Sequence, residues 1–353
     1  MFQRIMLALM LVGAVGISQL QAQCDPGGGL GGHGADVVVG ELVGTRTYNW
    51  ANGYAAYSIG TTSCNIGTTT LLWQANNRFH PVIAMNMYKM KDNRFTQIGA
   101  SWLKHGFLAL AGNACGCSCN NPGNGALLGV GCSDPYGAGL NGNADGPRFE
   151  VNATNGFFLY PPSIGPSGGA SSTRARIRVP LDDVNPALNS GALYFVEGHY
   201  VTPDDAAAGN AFNNASYRRV TVGGGTNFPI SMTSSTQRQR PALLAWGDND
   251  SAVVTRDFIT DEDGATIGRA ILAHKVTDNG NGTWTYSYSV QNVNSHRSFK
   301  SFSVPCPAGV SVTGISFKGV EFHSGEPYNN IPWVDTRSGN SLTWDMQAGN
   351  DNT

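Results

Sequence analysis

Three histidines stand among groups that could make them chemically useful. His80 precedes Pro81, His105 lies in Trp102-Leu103-Lys104-His105-Gly106-Phe107, and His199 follows Glu197 and precedes Asp204 and Asp205. Imidazoles with carboxylates nearby form the ligand sets of zinc and copper sites. The three are far apart in the chain, so a shared metal requires the fold to gather them. The plainer expectation for each is a hydrogen-bonded, partly buried histidine.

The cysteines are the second such group. There are seven: Cys24, Cys64, Cys115, Cys117, Cys119, Cys132 and Cys306. Cys115-Gly116-Cys117-Ser118-Cys119, with Cys132, is the dense cluster. It lacks the paired C-x-x-C knuckles of structural zinc sites. Two local disulfides pinning a Gly- and Asn-rich loop are expected, with a metal–thiolate site as the alternative. Cys64 and Cys306 are further disulfide candidates. Seven is odd, so one cysteine is left over, and Cys24 is the expected one.

Oxygen-rich turns at Asp261-Glu262-Asp263-Gly264 and Asp278-Asn279-Gly280-Asn281-Gly282 make calcium a third candidate metal beside copper and zinc. Neither fits the twelve-residue calcium loop, and both suit ordinary hairpin turns. Trp284, Trp333 and Trp344 are candidates for stacking on sugar rings, against the commoner fate of core packing. No H-E-x-x-H zinc motif or phosphate-cradling P-loop occurs.

The elements that must carry these groups are mostly strands. Charged residues make up 13% of the 353, glycine numbers 46, and the formal net charge is −2. Such a balance gives no electrostatic case for nucleic acid, and its poverty in periodic Glu, Lys and Leu argues against long helices. Residues 1–22 read as a signal peptide. Arg4 supplies the charge, Ile5–Ile17 the apolar run, and Ala22 the small residue at the cut. The run is too short to span a bilayer, and no later segment is apolar enough to do so. A lipid-modified Cys24 is a lesser alternative, because the bulky Gln23 precedes it. Export, to the periplasm, the cell surface or the medium, makes disulfides the default state of the cysteines.

Residues 23–36 read as a Gly-rich arm. Residues 37–240 read as a β-rich domain, interrupted at 111–170 by a Cys/Gly/Asn loop too long for a plain connection. Alternation marks strands at Tyr54–Ile59, Thr69–Trp73, Arg174–Val179, Leu193–Val201 and Tyr217–Val222. Ser101–Leu110 reads as one or two helical turns, and Ala206–Ala208 as another. In residues 241–353, Ala270–Val276 and Thr283–Val290 flank an Asn/Gly turn as a hairpin. Further strands are expected at Phe302–Val304 and Val310–Phe317. Their spacing predicts an immunoglobulin-like β-sandwich, incomplete at its C-terminal end. The fold class is therefore mainly β, with a disulfide-stapled N-terminal domain.

Several strings resemble an uncharacterised family of secreted bacterial, planctomycete-type proteins. They are Ala56–Gly67, His80-Pro81-Val82-Ile83, Gln97–Phe107, Gly131–Tyr136 and Glu197–Gly209, so the resemblance extends over nearly all of the mature chain. It implies export and a chain that normally continues past Thr353, and it carries no activity. The leading expectation is a non-enzymatic extracellular or cell-surface structural or binding protein. A surface component or glycan would be its partner. The alternatives are a copper- or zinc-dependent secreted enzyme using His80, His105 and His199, and a carbohydrate-binding protein acting through the C-terminal sandwich.

Overall fold

A computed structural model describes residues 33–264, 266–323, 325–327 and 330–347. The signal peptide 1–22, most of the Gly-rich arm and Cys24 lie outside the described residues.

The chain begins as a long hairpin. Strands β1 (Val37–Ala51) and β2 (Tyr54–Asn65) pair up to Ala51↔Tyr54. Asn52 and Gly53 between them have φ of 52° and 82°. Two successive positive φ values make the type I′ turn, whose twist matches that of paired strands. After the short β3 (Leu71–Leu72), β4 (Val82–Lys91) and β5 (Arg94–Ala100) repeat the device over Asp92 and Asn93, φ 51° and 58°.

The two-residue β6 (Lys104–His105) precedes the long loop, which carries β7 (Leu127–Leu128), β8 (Ser133–Tyr136), the single-turn α1 (Ala138–Asn141) and a 3-10 turn at Arg148–Glu150. Ser101–Leu110 is not helical. The Trp102 and Leu103 amides donate to the carbonyls of Ala175 and Gly146, so their partners lie across the loop and not four residues back. Strand β9 (Ile177–Pro180) and α2 (Leu181–Val184) lead to β10 (Leu193–Val201), α3 (Pro203–Ala207), β11 (Ala215–Val222) and β12 (Ile230–Met232).

The main sheet runs β1-β2-β9-β5-β4-β10-β11-β12, with β6 on β4 and β8 on β2. All its pairings are antiparallel. The sheet curls until its ends meet. Thr45 Oγ1 donates to the Ile230 carbonyl at 2.8 Å, and Tyr57 OH donates to that of Phe228 at 2.9 Å. Inside the curl lie Val39, Tyr57, Ile59, Ile83, Met85, Ile98, Ile177, Val196 and Tyr200. Period-two alternation explains the sorting, since Tyr194, Val196 and Tyr200 of β10 face in while Phe195 and Glu197 face out.

The outer face is covered in part by the rest of the chain. Tyr88, Phe95, Phe195 and Tyr217 pack against Trp246 of α4 (Leu244–Asn249), and against Ile271, Ala273 and Val293. One carboxylate anchors this layer. Glu197 Oε1 accepts from Asn86 Nδ2 and Tyr88 OH, at 2.8 and 3.0 Å. Its Oε2 accepts from the Ala242 amide and Gln291 Nε2, at 2.6 and 2.7 Å. A buried carboxylate is tolerable when all its acceptor sites are so occupied.

Beyond α4, a meander of β13 (Val254–Asp261), β14 (Ile267–Asp278) and β15 (Trp284–Asn292) forms one three-stranded sheet. The hairpin expected around Asp278–Gly282 is present. A second sheet holds β16 (Ser301–Pro305), β17 (Val334–Ser338) and β18 (Ser341–Asp345), ordered β16-β18-β17. Residues 310–317, expected as a strand, form none. The two sheets meet where Tyr288 lies 5.3 Å from Phe302, ring centre to ring centre.

Disulfides join Cys64 to Cys115 and Cys119 to Cys132, and Cys117 is also disulfide-bonded. The first ties β2 to the long loop, and the second closes a bridge within it. Cys306, expected among the paired cysteines, is instead free and buried.

Candidate functional site

His80 and His105 come together, although 25 residues separate them. The short pairing of β6 with β4 sets Val82 opposite His105, and the Gly106 amide donates to the Pro81 carbonyl at 2.9 Å. His80 Nε2 then lies 2.8 Å from His105 Nδ1, and His80 Nδ1 lies 2.9 Å from the Gln74 carbonyl oxygen. A carbonyl can only accept, so His80 carries its proton on Nδ1. In the neutral ring Nε2 is therefore bare and accepts from His105 Nδ1–H. The remaining lone pair of the chain of bonds sits on His105 Nε2.

Both rings are buried, with Phe158 and Tyr160 packed on them at centroid distances of 5.1–5.8 Å. Burial pushes the His105 pKa down to about 3, helped by His80 and Lys104. His80 is also lowered by burial, with the Gln74 carbonyl opposing. Both imidazoles are thus neutral near pH 7, the form that binds metals or accepts protons. Gly146 is required beside them, because a Cβ there would stand 2.8 Å from His105 Nε2.

His199 stands elsewhere, on β10 between Ala84 of β4 and Ala215 of β11. Its Nε2 is buried without a partner, and burial lowers its pKa, with Glu197 opposing and Arg148 assisting. Among the described residues no three His, Cys, Asp or Glu side chains form a group able to hold a metal ion. The oxygen-rich turns spend their carboxylates locally. Asp261 accepts from the Gly264 amide, Asp263 from Thr266, and Asp278 from the Gly280 amide.

The tryptophans divide. Trp333 stacks on Phe317 at 5.0 Å, and Trp344 packs beside Phe302 at 5.9 Å. Trp284 is 54% exposed and begins β15. Directly paired antiparallel residues share a face, so the register of β13, β14 and β15 sorts the sheet. Ile271, Ala273 and Gln291 turn toward the main sheet. Val254, Phe258, Val276, Trp284, Tyr286 and Val290 share the opposite face. All six are exposed, Tyr286 by 58%. Tyr286 and Val290 were legible as alternating strand residues, but the apolar sum of that face was not, because Val254, Phe258 and Val276 join it only through the pairing of the three strands.

One short string, Gly165-Pro166-Ser167-Gly168-Gly169, spells the G-x-S-x-G letters of a nucleophile elbow. It lies in a loop with neither strand before it nor helix after it, so its serine lacks that setting. Comparison with known proteins finds no matching family model, no similar curated protein and no similar solved structure.

Proposed function

We propose that this chain is a secreted extracellular or cell-surface binding protein, and that it holds carbohydrate on the outer face of the β13–β15 sheet. The observation that carries the reading is the placement of Trp284 and Tyr286, more than half exposed, on one face with Phe258 and Val276. Aromatic rings offer apolar faces on which sugar rings stack. Grouped exposed apolar side chains of this kind mark interaction sites more often than scattered ones do. Disulfides at Cys64–Cys115 and Cys119–Cys132 suit an oxidising compartment, and the resemblance to secreted planctomycete-type proteins agrees. The same reading takes the two C-terminal sheets as a reduced immunoglobulin-like sandwich, whose contact between Phe302 and Tyr288, on the same face as Tyr286, leaves Trp284 and Tyr286 open. The test is a glycan array with the wild type and a Trp284→Ala/Tyr286→Ala variant. Binding that the double variant loses supports the reading, and an array without hits overturns it.

A second reading, a copper- or zinc-dependent secreted enzyme, is favoured by one observation, the neutral His80–His105 pair. Elemental analysis of untagged protein decides it, since stoichiometric metal lost on His105→Ala supports it and metal-free protein sinks it.

A further inference from the structure

A groove of about 400 Å³ opens on the outer side of the main sheet, lined by Phe195, Tyr217, Arg219, Gln237, Arg240 and Asp248 among others. Its volume falls within the range of small-molecule sites, roughly 300–1,000 Å³. The groove is built by tertiary bonds and is preformed. The Tyr217 and Gln237 backbones exchange hydrogen bonds, at 3.2 and 2.7 Å, and the Gln239 amide donates to Ser216 Oγ. The loop after β12 is thereby laid along β11. The far wall is the end of α4, where Asp248 accepts from Arg240 at 2.6 and 2.8 Å and from Tyr217 OH.

The charges in this groove do not cancel. Asp248 is committed to Arg240 and Tyr217. Arg219 is exposed, shares a face with Phe195 and Tyr217, and makes no ion pair or side-chain hydrogen bond among the described residues. It also lines a second, adjoining groove of about 250 Å³ bounded by Leu193, Tyr194 and Val222. Arg238, next in the chain to Gln237, is likewise exposed and makes no ion pair among the described residues. A guanidinium offers a planar fork of donors that matches a carboxylate. Around it stand the amide of Gln237 and the rings of Phe195 and Tyr217.

We infer that this groove binds the carboxylate of an acidic sugar, with Arg219 as the anion-holding residue and Gln237 as a hydroxyl partner. The inference deepens the carbohydrate reading but uses a surface that shares no residue with the Trp284 face, so the two can fail separately.

Trigalacturonate is the probe, with its methyl ester as the uncharged control and calorimetry as the measurement. The wild type should bind the acid, more weakly as salt rises, and bind the ester about tenfold less tightly or worse. Arg219→Gln should lose about tenfold or more, and Arg219→Lys should retain part of the affinity, because charge survives without the fork. No binding by the wild type, equal binding of acid and ester, or an Arg219→Gln variant that is folded by its melting curve and binds as the wild type does would each overturn the inference. Loss confined to the Trp284→Ala/Tyr286→Ala variant would overturn it too, and would assign the acid to the other face.

Discussion

His105 donates its Nδ1–H to Nε2 of His80 at 2.8 Å, and His80 passes the polarity on to the Gln74 carbonyl. A proton added to His105 Nε2 would leave a buried cation beside a second imidazole and Lys104. The folded-state pKa of about 3 lies below the ordinary 6.5. Between those values the unfolded chain binds a proton that the folded chain refuses. Stability from His105 is complete above about pH 6.5 and falls as pH drops toward 3, by at most about 1.4 kcal/mol per unit. Melting temperature measured against pH should decline less steeply below pH 6 in His105→Leu than in the wild type. Parallel curves would contradict the depressed pKa.

The two buried aspartates act in the opposite sense. Burial raises Asp134 and Asp205 to about 7, against hydrogen bonds that lower them. Here the folded chain holds a proton that the unfolded chain releases from about pH 4 upward, so stability is lost as pH rises from 4 through 7. Asp134 Oδ1 accepts from the Leu110 amide, while Oδ2 is buried without a partner. Asp134→Asn keeps the acceptor and removes the charge. Denaturant unfolding should favour the variant by about 2–3 kcal/mol more at pH 8.5 than at pH 5.

Glu197 is the knot between the main sheet and the layer outside it. Glu197→Gln would turn donors toward donors among Asn86, Tyr88, Ala242 and Gln291. A cost of about 3 kcal/mol is expected. Hydrogen exchange should quicken first at residues 242–246 and 289–293. Uniform quickening across the main sheet would instead mean that the layer is not separately held.

Cysteine chemistry gives an independent check. Replacing Cys64 and Cys115 together by alanine opens a crosslink spanning 51 residues and should cost about 4 kcal/mol in a denaturant series. Cys306 is 5% exposed. It should resist alkylation in the native protein and accept it after unfolding without reductant, as peptide mapping would locate.

Much of the strand plan was legible. Leu193–Val201 and the hairpin at 270–290 announce themselves by alternation and by the Asn/Gly turn, signals that are local. What was not legible is tertiary. Lys104-His105 carries no strand signal of its own and is extended because β4 pairs with it and the loop at 146 takes the backbone bonds of Leu103 just before it. The His80–His105 meeting depends on that pairing, and nothing in a 25-residue spacing reveals it. Cys306 reads like any other cysteine until its neighbours are known. Arg218-Arg219 reads as the polar edge of a strand, and only the return of residues 237–240 and the approach of Asp248 turn Arg219 into the wall of a groove.

The meeting of β1 with β12 has a consequence for how the chain reaches its folded state. Thr45 and Ile230 are separated by 185 residues. Their bond is a side chain on a carbonyl, so no ladder of backbone pairs can zip the curl shut from a nearby turn. The interior is complete only after the last strand of the sheet has emerged and found the first. Closures over such separations pay loop entropy before they gain contacts, and they slow folding. Until then, Val39, Tyr57 and Ile59 face an open side. The early hairpins over Asn52-Gly53 and Asp92-Asn93 therefore serve as stable templates that wait for a late partner, and mutations along that seam should alter the rate of assembly more than the placement of the strands.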